Sequence, residues 1–156
     1  MNPAMRFGEA ADVDAIAALV NAAFNRERFY ISGDRTNAEK VANLLAKGKF
    51  ILFFENEELA GCVYVELRGE RGYFGLLSVD PERQRSGIGS QLIAAAEDYC
   101  REAGCRFMDL TFVNLRLPLP GYYRRFGYVE SSTLPFPSDQ VAPNRPIHLV
   151  QMSKLL

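Results

Sequence analysis

Apolar residues fall along this chain first at helical spacing and then in alternation. Over residues 12–24, Val13, Ile16, Val20 and Phe24, with Leu19 and Ala23 beside them, share one helical face, and Asp12 stands where an N-cap would. Residues 25–35 are a polar and aromatic connector. Thr36-Asn37-Ala38-Glu39 has the form of a capping box, hydroxyl first and carboxylate three residues on. It predicts a second helix with Val41, Leu44 and Leu45 inward, stopping at Gly48. The rhythm then changes. Residues 50–54 are a short apolar run, 56–58 a turn, 59–67 a strand rich in Val and Tyr, 69–72 a turn, and 73–79 a third strand closed by Pro81. Turns this short between strands predict an antiparallel meander.

Residues 87–103 give the clearest helix. Ile88, Leu92, Ala96, Tyr99, Cys100 and Ala103 repeat at helical spacing, Glu97, Asp98, Arg101 and Glu102 are polar, and Gly104 follows as a C-cap. A strand over 105–113 comes next, and strand–helix–strand predicts a parallel crossover pair. A short helix over 120–126 begins at a proline. Residues 128–132 and 147–152 read as closing strands around a loop holding Pro135, Pro137, Pro143 and Pro146. The predicted order ααβββαβαββ is an α/β (α+β) arrangement: one mixed, mostly antiparallel sheet with helices on both faces, a single domain over 1–156.

Composition narrows the function. At 156 residues, 48% hydrophobic and 24% charged, the chain is an ordinary globular one. Lys and Arg total 18 against 19 Asp and Glu, a formal net charge of -1. Bulk attraction to nucleic acid or an anionic membrane is therefore not expected. Three cysteines, Cys62, Cys100 and Cys105, and one histidine, His148, suit neither a disulfide framework nor a metal centre. No apolar run resembles a leader or a membrane span, so a cytoplasmic location is expected.

The most informative stretch is Asp80-Pro81-Glu82-Arg83-Gln84-Arg85-Ser86-Gly87-Ile88-Gly89-Ser90, between a strand and the long helix. Gly87 and Gly89 allow a ligand close to the backbone, and the first helical amides lack internal partners at the positive end of the helix dipole. Such a place suits a diphosphate, and Arg83 and Arg85 add positive charge. A Walker loop needs a Gly-Lys-Ser/Thr that is missing here. A dinucleotide fingerprint needs a small residue where Leu92 stands. What remains is Gln/Arg-x-x-Gly-x-Gly/Ala, present as Gln84-Arg85-Ser86-Gly87-Ile88-Gly89, or else a plain tight turn into a helix.

Tyr122-Tyr123-Arg124-Arg125-Phe126-Gly127-Tyr128, after the second crossover strand, separates these readings. With this motif, the glycine loop, the Val79-Asp80-Pro81 lead-in and the element order, nearly the whole chain resembles the GNAT superfamily of acyl-CoA-dependent N-acetyltransferases. The resemblance implies a splayed parallel strand pair with the cofactor's pantetheine arm in the gap, on backbone groups of Leu77 and Val79. It implies a diphosphate on residues 84–90 (Gln84, Arg85, Ser86, Gly87, Ile88, Gly89 and Ser90) and a cofactor contact from Asn114. It also implies acetyl-CoA as cosubstrate, no metal, and Tyr123 as proton donor to the departing thiolate; Tyr122 reads as a packing residue.

Many members carry a glutamate where this chain has Tyr73-Phe74, so Glu66 on the preceding strand is the carboxylate considered as general base. A water relay, or an amine deprotonated in solution, is the alternative. Asp109, His148 and the cysteines are expected to be structural. The reaction implied is direct attack by a primary amine on acetyl-CoA in a ternary complex, with a backbone amide near Leu77 facing the oxyanion. The acceptor, a small molecule or a peptide or protein amine, would sit against residues 24–35, with Phe29 and Tyr30, and 133–145, with Phe136. A homodimer through the closing strands is a further expectation. The alternative to an enzyme is a catalytically weak acyl-CoA-binding or sensing domain.

Overall fold

In the computed structural model, which describes residues 2–24, 35–84, 86–113, 118–135 and 148–156, the alternating run after Gly48 builds the middle of a seven-stranded sheet. β2 (Lys49–Glu55), β3 (Glu58–Arg68) and β4 (Arg71–Val79) form the expected meander. Its turns are two residues each, tighter than the sequence suggests. Asn56 and Glu57 both take positive φ, 52° and 66°, the turn geometry that matches the twist of paired strands. β5 (Phe107–Val113), β6 (Val129–Pro135) and β7 (His148–Leu155) complete the other half. The sheet order is β1-β2-β3-β4-β5-β7-β6, antiparallel throughout except for the parallel pair β4–β5. β1 (Met5–Phe7), pairing along β2, is an addition to the predicted order. Three residues are too few to display alternation.

Register divides the strand residues between two cores. Phe50 and Leu52 of β2 and Cys62 and Tyr64 of β3 face α1 (Val13–Ala23) and α2 (Ala38–Leu45). Ile51, Phe53, Val63 and Val65 face α3 (Ile88–Glu102), with α4 (Pro118–Arg124) on the same side. Each fully buried side chain of this size contributes about 1.5–3 kcal/mol, and a one-residue slip would exchange the two faces.

Three local expectations need correcting. Asp12 does not cap α1 with its side chain. Its carboxylate instead accepts from the Glu9 N–H at 2.7 Å and from the Arg6 guanidinium at 2.8 and 2.9 Å. α2 is capped by Asn37, which accepts from the Lys40 N–H at 2.9 Å, and not by Thr36. Thr36 is buried, its backbone held by the Asn21 side chain. The last helix starts at Pro118, two residues before the expected Pro120.

A polar cluster ties Tyr128, just before β6, and Lys154 on β7 to Glu97 on α3. The Tyr128 hydroxyl donates to Glu97 Oε2 at 2.7 Å, and Lys154 Nζ donates to both Glu97 oxygens at 3.1 Å. Tyr128 and Glu97 are buried, so removing either would leave the other short of a partner.

Candidate active site

β4 and β5 are paired for only three rungs, Arg71↔Phe107, Gly72↔Met108 and Tyr73↔Asp109. Arg71 clamps this closed end: its Nε and Nη2 each donate to an Asp109 oxygen at 2.7 Å, and Ser153 Oγ donates to Asp109 at 2.6 Å. Burial works to raise the Asp109 pKa, but the Arg71 and Ser153 bonds outweigh it and hold the carboxyl below its ordinary value. Past the clamp the strands part. β4 stays on β3, with Ser78↔Cys62 and Val79↔Gly61, while β5 runs on against β7.

A bulge turns β4 at the same point. The register with β3 shifts between Cys62 and Tyr64, and Leu76 sits at φ 52°. The buried Ser78 hydroxyl donates to the Leu76 carbonyl at 2.8 Å and holds the kink. The Asp80 N–H donates to Ala60 O, so by alternation the Val79 backbone faces the other edge, toward the gap. Leu77 and Val79 are half-buried beside that gap. A free strand edge along a fork is what the resemblance requires for an extended, amide-bearing ligand.

The fork runs into the glycine loop. Gly87 is the N-cap of α3 at φ 82°, a left-handed conformation that favours glycine, and it supplies no side-chain cap. The first turn of α3 therefore presents its amides outward. The Ser86 hydroxyl donates to Arg83 O at 2.6 Å and the Ser90 hydroxyl to Gly87 O at 2.9 Å, so both brace the loop from within. Gln84 is exposed, its amide 3.5 Å from Val79 O. The Ile88 side chain is buried, so Ile88 offers a ligand only its backbone. Gly61 makes the seating possible: a Cβ there would lie 2.8 Å from Ile88 Cγ2 and 3.2 Å from Ser78 O.

The expectation that Arg83 adds charge to the loop is overturned. Its guanidinium turns back to the β2–β3 hairpin, 3.4 Å from Glu55, 3.2 Å from Glu58 and 3.6 Å from Asp80. Three carboxylates around one arginine leave no net positive charge for a ligand. Arg85 and Asn114 lie outside the described residues, as do 25–34 and 136–147, which include Phe29, Tyr30 and Phe136 of the expected acceptor walls.

Tyr123 is buried on the α3 face, with its ring centroid 6.1 Å from that of Phe74 on β4 and 6.0 Å from that of Phe112 on β5. It thus spans the two strands where they separate. Tyr122 packs on Tyr123 and Phe126, each at 5.2 Å. Its hydroxyl lies 2.9 Å from where a Cβ on Gly89 would be, so Gly89 must be small for α4 to approach α3.

Glu66 is paired in register with Tyr73. Both its oxygens are engaged: the Tyr64 hydroxyl donates to one at 2.5 Å, and Arg68 Nε donates to the other. Burial raises its pKa, but Tyr64 and Arg68 together lower it further, so the net shift is downward. Tyr73 itself lies under Arg68, whose guanidinium carbon is 4.2 Å from the ring centre. The three cysteines are free and buried, and burial pushes the thiols of Cys62 and Cys100 up to about 12. His148 is exposed at the start of β7. Among the described residues no helix is long and apolar enough to cross a membrane.

The forked parallel pair leading into an uncapped glycine loop is the arrangement that the resemblance implies, and comparison agrees. A family model described as acetyltransferase (GNAT) family matches residues 14–128. The chain belongs to that family. No curated protein matches significantly in sequence. Among solved structures the chain is similar to ribosomal-protein-alanine N-acetyltransferase from Brucella melitensis, at 18% identity and TM-score 0.78 over 97% of this chain and 99% of that one. It is also similar to Ard1 from Thermoplasma volcanium, at 17% identity and TM-score 0.79 over 97% and 96%. A third is yncA from Salmonella typhimurium, solved with its cofactor acetyl-CoA, at 19% identity and TM-score 0.75 over 97% and 92%. At these identities the likeness is one of fold.

Proposed function

We propose that this protein transfers the acetyl group of acetyl-CoA to a primary amine by direct attack in a ternary complex. The observation that carries the proposal is the parting of β4 and β5 after Tyr73↔Asp109, next to the uncapped Gly87 turn. In this reading the pantetheine arm lies along Leu77 and Val79 and adds hydrogen bonds to a strand edge that no strand pairs with among the described residues. The diphosphate sits on backbone amides of residues 85–90, with the helix dipole behind them. Gln84 flanks it, and Asn114 is kept as a cofactor contact on the resemblance alone.

Binding both substrates in the fork supplies most of the rate by orientation, and a backbone amide near Leu77 faces the developing oxyanion. Tyr123 protonates the leaving thiolate; what supports this is its position across both strands of the fork. Glu66 is ionised at neutral pH, but a carboxylate held this acidic and doubly bonded has little drive to take a proton from an amine. It orients Tyr64 and Arg68, and the amine enters already neutral or loses its proton to water.

A thiol-release screen of acetyl-CoA against small amines, amino acids and peptides tests the proposal. Turnover with any primary amine is expected. Tight cofactor binding with no release across the whole panel would leave an acyl-CoA-sensing domain instead.

A further inference from the structure

The α3 side of the fork is closed at its apex by the rings of Phe74, Phe112 and Tyr123, so a second substrate has to arrive from the α1–α2 side. On that side two hydroxyls meet. Tyr73 stands on the last paired rung, and Thr111 lies two residues beyond its partner Asp109. The Tyr73 hydroxyl reaches forward over Gly75, lying 2.6 Å from where a Cβ there would be, and comes 3.4 Å from Thr111 Oγ1. The contact bridges the strands one step past the end of their backbone pairing. The phenol cannot swing away freely, because Arg68 stacks on its ring.

We propose that the Tyr73 and Thr111 hydroxyls form the seat for the acceptor nitrogen. This deepens the acetyl-transfer reading and rests on it. A bond of 3.4 Å between two hydroxyls is weak, and each oxygen keeps lone pairs for an incoming N–H. A neutral primary amine has two N–H groups and one lone pair. Two oxygens side by side at the apex accept the N–H groups and leave the lone pair aimed into the fork, where the thioester carbon would lie. The carboxylate opposite in register, Glu66, is turned to Tyr64 and Arg68, which hold one oxygen each. Gly75 keeps the approach open, where any side chain would collide with the phenol.

A bisubstrate probe tests this without knowledge of the natural acceptor: coenzyme A alkylated on sulfur with bromoacetamide, whose terminal NH2 offers both N–H groups at the acceptor position, titrated calorimetrically beside coenzyme A itself. The wild type is expected to bind the probe more tightly than coenzyme A. Tyr73→Phe and Thr111→Val are each expected to lose about five- to tenfold in probe affinity, the worth of one hydrogen bond, with coenzyme A affinity and melting temperature unchanged. Thr111→Ser, which keeps the hydroxyl, should bind like the wild type. Equal probe affinity in wild type, Tyr73→Phe and Thr111→Val would overturn the acceptor seat while leaving acetyl transfer standing. A wild type that binds neither compound would overturn both.

Discussion

Tyr123 and Glu66 show how differently two polar side chains can be placed around one fork. Tyr123 has aromatic neighbours from both strands, so its loss as a phenol, with the ring kept, should leave the fold intact. Tyr123→Phe is expected to lower kcat by about 10²-fold, the low end of general acid catalysis, with little change in acetyl-CoA affinity. Unchanged turnover would remove it from the chemistry. Glu66→Gln is expected to change kcat/KM by less than about threefold, since an acid-shifted carboxylate makes a poor base. A fall of two orders of magnitude with loss of the acid limb of the pH profile would reinstate it. Arg83 teaches the same lesson. Its charge is visible in the sequence, but its partners Glu55 and Glu58 lie more than twenty residues upstream, and only the folded hairpin brings them together.

Elements differed in how far the sequence disclosed them, for identifiable reasons. The meander β2–β4 could be read because apolar alternation and turn residues agree. α3 could be read because helical spacing, Gly87 and Gly104 agree. β1, at three residues, is too short to carry a pattern, and the adjacent Thr36 and Asn37 are both competent to cap α2, so the sequence does not choose between them. The fork itself is a fact about which strand stops pairing where, and no local pattern encodes it. The family resemblance, not the periodicity, supplied it.

The loop before α3 can be tested as an element. At φ 82° any side chain on Gly87 costs about 1–2 kcal/mol, and its nearest neighbour, Ser90 Oγ at 3.9 Å, leaves room for one. Gly87→Ala should bear that strain yet retain acetyl-CoA binding. Gly87→Glu should bear the same strain and lose binding, because it sets a carboxylate where the diphosphate goes. Calorimetric titration of both separates backbone strain from charge. Equal retention in both would mean that the loop does not hold the cofactor. Gly61→Ala is expected to destabilise the fold by about 1–3 kcal/mol in chemical denaturation, since it lifts the first turn of α3 off β3.

Taken whole, the molecule is a sheet clamped at one end of the β4–β5 pair and open at the other. The Arg71–Asp109–Ser153 cluster links β4, β5 and β7 at the closed end. Asp109 titrates below its ordinary value in the folded protein, so the stabilisation it gives is fully present above the unfolded aspartate pKa of about 3.9. That stabilisation is lost as pH falls through the lower, folded value. Melting temperature should therefore drop as pH falls below about 4, and Asp109→Asn should be less stable at pH 7 with a shallower acid drop. An acid limb identical in wild type and Asp109→Asn would show that the clamp is not what titrates.

Every functional step rests on the open end of the fork taking a pantetheine arm while the α3 amides hold its diphosphate. A crystal structure grown with coenzyme A reads this directly. Diphosphate oxygens are expected at about 3 Å from the amide nitrogens of Ile88, Gly89 and Ser90, with the arm along Leu77 and Val79. Coenzyme A bound elsewhere on the molecule, with the Gly87 turn and the β4–β5 gap left empty, would contradict it.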